Sequence, residues 1–218
     1  PSCGQTAHPH RLDMGHILHE MVHVFTHADK GIFYLTKAMF RRPGLVAKDY
    51  VEGRRQQYFN PFSYLVLTVA VAAFLSNYFH LMDTSAPGEH IRPGEALVAK
   101  NINLVFLIAA PIGAFFNWLL FWRSRYNYAE NLTLQAFLGG FRVVFFLFIF
   151  TPLVLLFREK YYLMLTIYLG MWSVFLTWAN LQFYGGRWWL VALKTVVSLL
   201  LTQVVITMLI YIILRWIL

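Results

Sequence analysis

The chain has 218 residues, of which 59% are hydrophobic and only 13% charged, with 18 Lys+Arg against 10 Asp+Glu. Soluble domains carry roughly 25% charged residues, and a chain this short has too little interior to hide so much apolar side chain. A soluble globular domain, a disordered chain and a disulfide scaffold are excluded, and an integral membrane protein remains.

From the start of the chain, residues 1–15 are polar and hold no signal peptide, and Cys3 alone permits no internal disulfide. The opening on Pro1 points to residues that precede it. Six of the eight His lie before residue 28. His16, His19, Glu20, His23 and His27 share one face of a short predicted helix, opposite Ile17, Leu18, Met21, Val24 and Phe25. Within it, His19-Glu20-Met21-Val22-His23 is an H-E-x-x-H string. In zinc hydrolases the two His grip one ion and the Glu activates its water. Three roles are open for this face: a surface role, a bound zinc or other divalent metal held by His16, His19, His23 and His27, or hydrolysis with Glu20 as base.

Residues 16–60 read as His-rich and basic amphipathic helices on the cytoplasmic membrane face. Ile32, Leu35, Met39 and Phe40 recur at helical spacing among Lys37, Arg41 and Arg42, and Pro43-Gly44 stops that helix. Leu45–Phe59 forms a second amphipathic stretch. Eight of the 18 basic residues lie before residue 60, interleaved with apolar ones, a pattern for membrane headgroups and not for nucleic acid. Arg41, Arg42, Arg54 and Arg55 are the candidate contacts for an anionic lipid or a partner.

A spanning helix needs ~20 apolar residues. Five stretches qualify: Phe62–Met82, Leu104–Trp122, Leu132–Phe157, Tyr161–Asn180 and Trp188–Leu214. The fold class is therefore all-α, a membrane bundle of five spans over residues 61–218, preceded by the surface helices. The third span carries Gly139-Gly140, Arg142 and Pro152 and is expected to tilt, kink or break. Counting Lys and Arg by loop gives twelve inside against five outside when the N-terminus is cytoplasmic and the C-terminus external. Glu130, Gln135, Arg142, Asn117 and Gln203 lie in or beside the hydrocarbon zone, where such groups are costly. Glu130 reaches Arg142 only if that span is broken, because twelve residues of helix cover ~18 Å.

The run His19-Glu20-x-x-His23, His27-x-Asp29-Lys30-Gly31, Arg42-Pro43-Gly44 and Tyr50-x-x-Gly53-x-Arg55-x-x-Tyr58-x-x-Pro61-Phe62 resembles a family of bacterial inner-membrane proteins. That family is catalogued as a domain of unknown function, number 3667. The resemblance covers residues 2–62 and implies a bacterial inner-membrane location, several spans, and a C-x-x-C-G zinc-ribbon end truncated at Cys3. Tyr128-Ala129-Glu130 is similar to the family's Y-A-E step, which usually continues with His where this chain has Asn131. The family implies no reaction.

Three functions stay open. One is a non-catalytic subunit or assembly factor that docks other membrane subunits, or a second copy, through its basic, His-faced segment. Another is a membrane zinc metallohydrolase built on His19, Glu20 and His23. The third is a small transporter or lipid-handling protein built around Arg142 and Asn117.

Overall fold

A computed structural model describes residues 31–78, 102–157 and 160–217, and these are helical with short connections. The elements are α1 (Gly31–Arg41), α2 (Pro43–Val51), a 3-10 turn (Arg55–Gln57), α3 (Pro61–Tyr78), α4 (Ile102–Leu120), α5 (Tyr128–Phe145), a π turn (Phe146–Phe150), α6 (Thr151–Leu156), α7 (Tyr161–Tyr184) and α8 (Trp188–Ile217).

Four helices are long and apolar enough to cross a membrane, over Arg55–Leu75, Tyr128–Leu153, Leu163–Tyr184 and Trp188–Arg215. The fifth expected span is the shorter apolar helix Val105–Leu120 within α4. Only 11% of the α8 window is buried, and Leu193, Val196, Leu200, Val204, Met208 and Ile212 point away from the bundle. Such a face is stable only against hydrocarbon or another apolar surface.

The third span is not broken. From Tyr128 to Leu156 the backbone stays helical, and the irregularity at Pro152 is absorbed by the π turn before it. Pro152 cannot donate a backbone bond and its ring crowds the preceding turn. One widened turn makes room, and both the backbone N–H and the hydroxyl of Thr151 donate to the Phe146 carbonyl.

Helix α5 is central and packs on α3 and α4, while α8 packs on α4 and α7. The α3–α5 crossing is close: a Cβ at Gly140 would meet the Tyr64 ring at 2.5 Å. Small residues let membrane helices approach this way.

The amphipathic pair differs from a layer resting on a membrane face. Helix α2 is wedged between α5 and α7, with Val46, Ala47, Tyr50 and Val51 buried in one core with Phe137, Phe141 and Phe183. A Cβ on Gly44 would lie 2.0 Å from the Ala179 carbonyl oxygen, so only glycine allows this approach. Arg42 gives α2 no side-chain cap. The first N–H groups of α2 are instead met by Gln182 of α7, whose Oε1 accepts from Gly44 N at 2.9 Å and Leu45 N at 3.3 Å.

Candidate functional site

Wedging α2 between α5 and α7 leaves the inner face of α8 turned toward α5 across a gap. That gap is a cavity of about 80 Å³ lined by α4, α5, α7 and α8. Each helix contributes one face. On α8 these are Thr195, Ser198, Thr202 and Ile206, with Gln203 beside them; on α4, Asn117, Gly113, Ala110 and Phe106. Spacings of three and four keep each set on one side of its helix. Glycine and alanine at positions 113, 109, 110 and 139 keep the space open.

The end nearest the α4–α5 and α7–α8 connections is an amide layer. Ser198 Oγ donates to Asn117 Oδ1 at 2.7 Å, and Asn180 Nδ2 donates to Thr195 Oγ1 at 2.9 Å. Asn117 and Asn180 are each 1% exposed. Asn117 Nδ2 and Asn180 Oδ1 nevertheless have no hydrogen-bond partner among the described residues. An unmet buried polar atom costs roughly 1–3 kcal/mol, so one donor and one acceptor left open at the same level mark a place built for water or ligand.

The far end of the cavity holds Arg142, midway along the continuous helix from Tyr128 to Leu156. Its Nε donates to the Tyr168 hydroxyl at 3.4 Å, and the guanidinium carbon lies 5.4 Å from the Phe106 ring centroid and 5.7 Å from that of Trp172. These aromatic contacts stabilise the cation without neutralising it. The described carboxylates are Asp49, Glu52 and Glu130, and none pairs with Arg142. Glu130 closes a capping box at the start of α5, accepting from Asn127 N at 2.6 Å while Asn127 Oδ1 accepts from Glu130 N. A Glu130–Arg142 pair, which needs a broken span, does not form, because the unbroken helix keeps the two residues more than three turns apart.

The basic residues form a second cluster where α2 meets the α4–α5 connection. Arg42 Nη2 donates to the Tyr58 hydroxyl at 3.4 Å, Tyr58 donates to Asp49 at 3.0 Å, and Arg54 pairs with Asp49 at 3.1 Å. Arg125 pairs with Glu52, which ties the N-terminal helices to the connection before α5. Arg41 is exposed at the end of α1, and Arg55 opens the 3-10 turn. Arg42 and Arg54 are thus brought into one network through Tyr58 and Asp49.

The His face cannot be placed. His16, His19, Glu20, His23 and His27, with Cys3, lie outside the described residues, which contain no His or Cys. Among the described residues no cluster of three metal-ligating side chains occurs. The sequence reading picked out Asn117, Gln135, Arg142 and Gln203 but missed Asn180, Thr195, Ser198 and Gln182. A polar triplet at positions 195, 198 and 202 in a largely apolar helix is the signal that finds the α8 wall.

Residues 29–73 match a family model described as a protein of unknown function (DUF3667). No curated protein and no solved structure matches the chain. The matched stretch covers α1, α2 and much of α3, the wedge and the first helix beside α5. Every residue that lines the cavity lies outside it.

Proposed function

We propose that the chain is a multi-pass membrane protein that admits a small polar solute into the bundle, a solute-handling protein of the transporter class. The observation that carries this reading is the cavity: a fixed positive charge with no carboxylate partner among the described residues, in a space that also holds two buried amides with one donor and one acceptor unmet by the described residues. Groups this costly inside hydrocarbon are characteristic of ligand and ion paths. The lining offers hydrogen bonds and one permanent charge, the chemistry of binding and passage. In this reading the end carrying α2, Arg54 and Arg125 faces the cytoplasm, as the loop charges favour, and the solute enters from there.

The test is thiol labelling in sealed vesicles of known orientation. In a Cys3→Ser background, Thr202→Cys on the cavity wall is expected to react with a small, water-borne methanethiosulfonate applied to the α2 face. The turn residue Arg187, replaced by Cys, serves as the exposed control. Labelling of the control with none at position 202 under the same conditions contradicts the reading.

A further inference from the structure

Taking that solute-handling reading as its base, we infer that the solute is a small planar monoanion, a short-chain carboxylate, held by the guanidinium of Arg142 and reached through a column of water. Three features of the cavity select this class.

Charge comes first. Among the described residues, Arg142 is the one cation that lines the cavity, and no described Asp or Glu lines it. A monoanion restores neutrality at mid-helix, whereas a dianion leaves a net charge where hydrocarbon penalises it most.

Shape comes second. A guanidinium has five N–H groups in a flat fork. Nε is engaged by Tyr168, and the two Nη groups bond to no described residue. The Nη edge matches the two oxygens of a carboxylate, the geometry in which Arg surpasses Lys. Phe106 and Trp172 flank the guanidinium and suit the short apolar end of such an anion.

Size and depth come third. At ~30 Å³ per water, about 80 Å³ holds roughly two or three waters, too little for the chains of a lipid. Asn117 and Phe106 on the α4 wall are eleven residues apart, ~16 Å of helix, so the space is long and narrow. The unmet Asn117 Nδ2 and Asn180 Oδ1 lie at the outer end of that space. A lipid headgroup belongs at the interface, not at the middle of the bundle.

The experiment is calorimetric titration of the full chain in phosphatidylcholine nanodiscs with sodium acetate, at ionic strength balanced with sodium sulfate. Acetate is expected to bind saturably, and Arg142→Gln to weaken it by about tenfold or more, as loss of a charge-assisted pair does. Arg142→Lys is expected to recover only part of the affinity, because a point charge lacks the fork. Phosphate is expected to bind more weakly than acetate. Phosphate that binds as tightly as acetate, acetate binding that survives Arg142→Gln, or acetate binding abolished by phosphatidylglycerol in the disc would each overturn the assignment; the last would identify a lipid headgroup as the occupant. If Arg142→Gln does not fold, the Thr202→Cys chain decides: saturating acetate should slow its labelling, and unchanged labelling overturns the anion class. Labelling without acetate protection leaves the solute-handling reading standing and removes the carboxylate, whereas no labelling at all removes that reading itself.

Discussion

Two neighbouring gaps around α5 are resolved in opposite ways. Between α5 and α7, a nine-residue helix fills the space, glycine brings backbone against backbone, and Gln182 meets the helix's first N–H groups. Between α5 and α8 the space stays open, lined by small and polar residues, and buried polar atoms go unmet. The chain evidently has the means to close such a gap tightly. A cavity that keeps its costs beside a gap that has none is where function is to be sought.

The contrast is broken most strongly by Arg142→Leu. It should abolish acetate binding while stabilising the fold, because a cation with no carboxylate partner among the described residues gives way to an apolar side chain. Thermal unfolding in detergent alongside titration reads both, and a destabilised variant would mean that the guanidinium serves the fold. In the closed gap, Gly44→Val should act in the opposite sense. Its side chain collides with the Ala179 carbonyl, and overpacking of this kind costs about 3 kcal/mol. The same unfolding assay checks it, and an unchanged midpoint would refute the close contact. Gln182→Met, which keeps the bulk but not the acceptor, should cost about 1–2 kcal/mol through the uncapped N–H groups.

The smallest effect lies at the basic cluster. Tyr58→Phe removes the hydroxyl that accepts from Arg42 and donates to Asp49, and should cost about 0.5–1 kcal/mol while leaving the cavity's acetate affinity unchanged. Thermal unfolding reads the first and titration the second, and an unchanged midpoint would show that these hydroxyl bonds add nothing to the fold.

Much of the architecture was legible because hydropathy and length alone determine where an apolar helix can lie. Trp188 opens α8 and Arg41 closes α1, as the aromatic and Pro-Gly signals indicate. The wedge was not legible, because it depends on a contact between Gly44 and a helix 138 residues further on. Local amphipathicity registered Lys48 and Asp49 on α2 and Glu52 just after it, and missed the small residues that let the helix sink. Glu130 stood out for its place in or beside a span, and the capping-box spacing of Asn127-x-x-Glu130 went unread. Arg142 and Asn117 stood out individually as expensive groups. That they share one cavity with Asn180 and Ser198 depends on how four helices pack, which no single helix's periodicity records.

The most direct test of the central claim is a high-resolution density map of the full chain in a lipid nanodisc, focused on the space between α5 and α8. Ordered water is expected beside Asn117 Nδ2 and Asn180 Oδ1, continuing toward Arg142. A dry gap, closed by the side chains around it or filled by a lipid tail, would contradict it.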